Sequence, residues 1–127
     1  MAKVTLVEIC RKYSGNDYRH TLPEQDKVTL GRDKENDIVI DHPFLGVVIS
    51  RNHCTFIRKG DNIRVFDNDS KNGTFVEDKR VGPEGECLHS KDYLYLGNYP
   101  FQVEISLYYG IKEKLFGLKS RIYEAFK

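Results

Sequence analysis

A chain of 127 residues is the size of one ordinary domain and too short for two. With 39% apolar and 31% charged residues it has the balance of a soluble globular protein, and no apolar run reaches the roughly 18 residues of a transmembrane helix. The net charge of +1 sets aside a strongly basic nucleic-acid protein, so an anion must be held by a local cluster. The N-terminal stretch lacks the basic-then-apolar-then-small order of a signal peptide, and Cys10, Cys54 and Cys87 are odd in number and widely spaced. Reduced thiols and a nuclear or cytoplasmic address are expected.

Along the chain, short β-like segments alternate with turn residues. Val4–Ile9, Val28–Leu30, Asp37–Ile40 and Cys54–Ile57 are rich in β-branched residues. Asn62–Phe66 alternates apolar with polar, and Gly60-Asp61 separates it from the preceding run as a hairpin turn does. Thr74–Val76, Tyr93–Leu96 and Phe101–Leu107 follow, while Pro83-Glu84-Gly85-Glu86 reads as a loop. Many closely spaced strands without intervening helices predict an all-β antiparallel sandwich.

From Ile111 the rhythm changes. Ile111, Leu115, Leu118, Ile122 and Ala125 recur at the spacing of one helix face, with Lys112, Lys114, Lys119 and Arg121 between them. An amphipathic helix is expected over 112–126, weakened by Gly117. It either packs on the sandwich or serves a partner.

The chemistry gathers in three inter-strand segments: Gly31-Arg32-Asp33-Lys34, Ser50-Arg51-Asn52-His53 and Ser70-Lys71-Asn72-Gly73. Loops distant in sequence collect at one end of a sandwich. If these three do, Arg32, Lys34, Arg51 and Lys71 form a basic cluster around the Ser50 hydroxyl and the Asn72 amide. Guanidinium forks, ammonium charges and a hydroxyl are the donors a phosphate dianion needs, whereas Asn72, a donor and acceptor at once, suits a peptide backbone. Taken singly, each motif has a plainer reading. Gly31-Arg32 is a turn with a solvated charge, Asn72-Gly73 a hairpin signal, and His53 a hydrogen-bonded structural histidine.

Gly31-Arg32, Ser50-Arg51-Asn52-His53 and Asn72-Gly73, in this order and spacing, resemble the signature of the forkhead-associated (FHA) domain over residues 3–108. The resemblance implies an eleven-stranded β-sandwich that binds phosphothreonine peptides. Arg32 and Ser50 match the family's phosphate-contacting pair, with Arg51, Lys71 and Lys34 at assisting positions. Asn72 matches the residue that holds the peptide main chain, and Gly31, His53 and Gly73 match positions that shape the loops. The segment Ile49–Cys54 is similar to the N-terminal FHA module of a RING-type ubiquitin ligase of the DNA-damage response. The implied partner is a phosphothreonine-containing signalling protein, with no cofactor, no direct nucleic-acid contact and no membrane.

Rival chemistries are weaker. Ser50 and His53 lie three apart without a Gly-x-Ser-x-Gly context, so a hydrolase is not expected, and Cys54 opens a β-run rather than a reactive loop. Among His42, His53, Cys54, Cys87 and His89, only Cys87-x-His89 has suggestive metal spacing, and no second pair completes it. The alternative that stays open is a phosphate-independent scaffold or homodimer acting through a sheet face or the helix at 111–127.

Overall fold

The computed structural model describes residues 2–11, 18–41 and 48–106. Among them are eleven strands: β1 (Lys3–Glu8), β2 (Arg19–Thr21), β3 (Lys27–Gly31), β4 (Ile38–Val39), β5 (Cys54–Lys59), β6 (Asn62–Asp67), β7 (Thr74–Val76), β8 (Lys79–Arg80), β9 (Glu86–Cys87), β10 (Tyr93–Leu96) and β11 (Tyr99–Ser106). One 3-10 turn, Ile9–Arg11, follows β1. A six-stranded sheet runs β2-β1-β11-β10-β7-β8, and a five-stranded sheet runs β4-β3-β5-β6-β9. The helix expected over 112–126, and the whole of 111–127, lie outside the described residues, as does Leu107.

Period-2 patterning builds both layers. In β6, Ile63 and Val65 turn inward while Asn62 and Arg64 face out; in β11, Tyr99, Phe101 and Val103 are the inward set. Phe56, Phe101, Leu30, Leu94 and Leu96 meet between the layers without exposure. Two tight hairpins hold the register. Lys59 faces Asn62 across Gly60-Asp61, and Leu96 faces Tyr99 across Gly97-Asn98. Gly60 and Gly97 take φ of 61° and 63° at the first turn position, which glycine adopts without strain.

Three expectations need correction. β4 is two residues long and pairs with β3 in parallel, so the sandwich is not purely antiparallel. Asp37 drops out of the strand because its carboxylate accepts the Thr29 amide and hydroxyl at 2.8 and 3.2 Å. Second, Glu86 belongs to β9, and β2, β8 and β9 carry no apolar alternation that would announce them. Their existence follows from pairing with β1, β7 and β6 at the sheet margins. Third, Ile9 leaves β1 for the 3-10 turn, placing the fully buried Glu8 beneath it. Its carboxyl accepts the Tyr99 hydroxyl at 2.5 Å and lies 2.6 Å from His20 Nε2, so the buried polar group is partnered.

Candidate functional site

The end of the sandwich where β3 stops and β5 begins gathers the three sequence motifs. Beyond β3, the chain continues to pair with residues 50–53: Arg32 N–H donates to Ser50 O at 3.1 Å, Asp33 N–H to Arg51 O at 3.1 Å, and His53 N–H to Leu30 O at 2.9 Å. The approach is so close that a Cβ on Gly31 would lie 1.9 Å from Arg51 O. Glycine is required here by space, not by a left-handed backbone.

His53 ties this pair of segments to the third. It is fully buried; its Nδ1 accepts the Ser50 N–H at 3.0 Å, and its Nε2 lies 2.9 Å from Gly73 O. Since Nδ1 accepts, the proton of the neutral ring sits on Nε2 and donates to Gly73. Burial holds the imidazole below its ordinary pKa of 6.5, against the Gly73 carbonyl and the Asp67 charge, which favour protonation. The expected structural histidine is what the geometry contains. Its ring addresses the Ser50 backbone rather than the hydroxyl, so the two are not arranged as base and nucleophile. Cys54 faces the core, and burial pushes its thiol far above the usual range.

The loop after β6 is shaped by Asp67, which the sequence reading missed. Its Oδ1 accepts the Ser70 and Thr74 hydroxyls at 2.5 and 2.7 Å, and its Oδ2 accepts the Ser70 amide at 3.0 Å. Burial pushes this carboxyl up, but those three donors outweigh it and leave the group below the ordinary 3.8. Asp67 three residues before Ser70 is a local side-chain-to-backbone signal that could have revealed it. Ser70 Oγ in turn accepts the Gly73 amide at 2.9 Å, and Gly73 turns the chain with φ of 86°.

Ser50 sits at the junction. Its backbone carbonyl receives Arg32, its N–H is held by His53, and its Oγ accepts the Lys71 amide at 3.0 Å, leaving the hydroxyl hydrogen to donate outward. Arg32 spends Nε on Ile49 O at 2.7 Å and keeps both terminal nitrogens without a partner among the described residues. Lys34, Arg51 and Lys71 are exposed, and no carboxylate pairs with their side chains among the described residues. Elsewhere Arg19, Arg11 and Lys79 pair with Glu104, Glu8 and Glu86. Lys34 lies on the turn after Arg32 with no bond from its side chain to the others. Asn72 Nδ2 donates to Val48 O at 3.0 Å. Beside it Val48, Asn72, Phe75, Gly97 and Asn98 line an open cavity of about 450 Å³.

The model of the FHA domain family matches residues 28–97, more than half of the chain. The chain belongs to the FHA family. Among curated relatives, this FHA chain is 37% identical over 82 residues to the E3 ubiquitin-protein ligase rnf8 of Danio rerio, covering 60% of the chain and 16% of that protein. It is 39% identical over 71 residues to an ABC transporter ATP-binding/permease protein of Mycobacterium tuberculosis, covering 56% and 8%. The chain thus spans a small part of either protein. The likeness to a RING-type ligase has a counterpart, next to a bacterial protein of another kind. Among solved structures, Mycobacterium tuberculosis EmbR in complex with a low-affinity phosphopeptide superposes with a TM-score of 0.68 at 27% identity, over 84% of this chain and 25% of that one. FHA domains are interaction modules, and no helix among the described residues is long and apolar enough to cross a membrane.

Proposed function

We propose that this FHA domain binds phosphothreonine-containing proteins, reading the phosphate with Arg32, Ser50 and Arg51, assisted by Lys71 and Lys34, while Asn72 holds the peptide main chain. The observation that carries the reading is the Ser50 junction. The Ser50 hydroxyl accepts the Lys71 amide, the Ser50 carbonyl accepts the Arg32 amide, the Arg32 terminal nitrogens have no partner among the described residues, and Arg51 is next in the chain. A phosphothreonine brings about −1.5 to −2 charges and three tetrahedral oxygens, which match a guanidinium fork, an ammonium and a hydroxyl together. An unphosphorylated threonine offers those groups nothing to neutralise. The phosphopeptide held by the EmbR neighbour is in keeping with this reading.

Beyond the phosphate, the cavity beside Asn72 gives an apolar lining from Val48 and Phe75, so an aliphatic or aromatic residue is favoured at the third position after the phosphothreonine. Gly46 and Val47, which precede Val48, lie outside the described residues. The partners on this reading are signalling proteins, including those of the DNA-damage response, met in the nucleus or cytoplasm.

The test is a calorimetric titration with one peptide in its threonine, phosphothreonine, phosphoserine and glutamate forms. The phosphothreonine form binds best. Its extra methyl is worth about 0.8 kcal/mol, roughly fourfold over phosphoserine, and β-branching adds to that by limiting the rotamer freedom lost on docking. Glutamate has one charge and two coplanar oxygens, which leaves a donor unmatched at about 1–3 kcal/mol. Equal binding of the threonine form would turn the assignment to a phosphate-independent scaffold.

A further inference from the structure

Asn36 is a polar side chain of the β3–β4 turn that is 7% exposed, and neither motif nor periodicity singled it out. Its Nδ2 donates twice, to Asp33 O at 2.9 Å and to Arg51 O at 2.7 Å, so both amide hydrogens are used. Its backbone N–H reaches the same Asp33 carbonyl at 3.2 Å, closing the turn that carries Arg32, Asp33 and Lys34. Its Oδ1, by contrast, is buried without a partner among the described residues. A buried acceptor left unmatched is unfavourable, so the residue is explained by its two donors.

Those donors connect the two loops that carry the proposed phosphate ligands. Arg51 O receives Asn36 Nδ2 and the Asp33 amide together, and it can sit there only because position 31 has no Cβ: the added atom would lie 1.9 Å from Arg51 O and 2.9 Å from Asn36 Nδ2. Gly31, Asn36 and the Arg51 carbonyl therefore form one unit. The backbone of Arg51 is fixed at its carbonyl, while the guanidinium, exposed and without a carboxylate partner among the described residues, is left for a ligand.

We infer that Asn36 is a positioning residue of the phosphopeptide site, acting through Arg51 by clamping the β3–β4 turn to the segment that follows Ser50. The inference rests on the phosphate reading proposed above. Asn is required because the two acceptors are carbonyl oxygens: an aspartate of the same shape would place a third acceptor against them with no hydrogen between, whereas alanine removes the clamp without adding charge.

The experiment measures affinity for one phosphothreonine peptide, selected from a degenerate pool by the unsubstituted chain, in Asn36→Asp, Asn36→Ala, Arg51→Ala and the two double variants. Folding is checked by circular dichroism and thermal melting. A positioning role predicts a loss of about tenfold for Asn36→Asp and somewhat less for Asn36→Ala in otherwise folded protein. It also predicts that most of this loss disappears in the Arg51→Ala background, because the group being positioned is gone. Should Asn36→Asp not fold, Asn36→Ala carries the same cycle. Wild-type affinity in the folded single variants, or an equal loss with and without Arg51, overturns the inference while leaving the phosphate reading intact. A pool from which the unsubstituted chain selects nothing overturns both.

Discussion

Arg32 Nε is held by the Ile49 carbonyl at 2.7 Å, so the side chain is oriented before any ligand arrives and its terminal nitrogens remain to receive one. Arg32→Ala should therefore weaken phosphopeptide affinity at least tenfold, since bonds to charged groups are worth about 1.5–3 kcal/mol each. The same change removes one half-buried hydrogen bond from the fold, a loss of about 0.5–1.5 kcal/mol that leaves the domain folded. Calorimetry alongside a thermal melt checks both, and unchanged affinity would refute the assignment. His53 gives a second test at this scale. Burial holds its folded pKa below the 6.5 of a free imidazole, so the unfolded chain takes up a proton that the folded one refuses. Stability is thus full above about pH 6.5 and falls as pH drops below it, levelling only beneath the folded pKa. Urea unfolding at pH 7.5 and 5.5 should show this loss in the wild type and a reduced one in His53→Gln. Equal losses would mean that the ring is not held neutral.

Loops and hairpins show how binding and folding are coupled one level up. Gly97 opens the β10–β11 hairpin at φ 63°, donates its N–H to Gly73 O at 2.8 Å, and packs so tightly that a Cβ would meet Val48 Cγ1 at 2.9 Å and Asn72 Cβ at 3.1 Å. Gly60 opens the β5–β6 hairpin at nearly the same φ, but a Cβ there would find nothing within 4 Å. Both alanine variants should lose about 1–3 kcal/mol through left-handed backbone strain. Only Gly97→Ala should also weaken peptide affinity, by displacing Asn72. Denaturant melts and titrations of the pair decide it, and an equal drop in affinity for Gly60→Ala would sever hairpin from site. Legibility at this scale divided by pattern. β5, β6 and β10 could be read because β-branched and aromatic residues alternate or run together there, while β2, β8 and β9 are two or three largely polar residues whose strand character comes from the neighbour they pair with.

Across the whole molecule, the two sheets share one core, and the binding end stands on it. Phe56 of β5 is fully buried in the cluster that includes residues of both sheets, two residues after Cys54, where the site segment joins its strand. Phe56→Ala should lower stability by about 3–5 kcal/mol through lost transfer energy and a residual cavity. Affinity should then fall in proportion to the unfolded fraction and recover on cooling toward the stability maximum, which a titration at two temperatures reads. Burying apolar residues on one face of each strand is a local demand, visible as alternation, so the sandwich class and most of its strands followed from the sequence alone. So did the donor groups offered by Arg32, Ser50, Arg51 and Lys71, which are what they are in any fold. The tertiary structure decided the rest: the parallel β3–β4 pairing, the tautomer of His53 and the work of Asn36. The last two depend on the bonds of His53 to Gly73 and of Asn36 to Arg51, between residues 20 and 15 positions apart. Which donor finds which acceptor across such a span is set by the packing of two sheets, and no local pattern of residues encodes it.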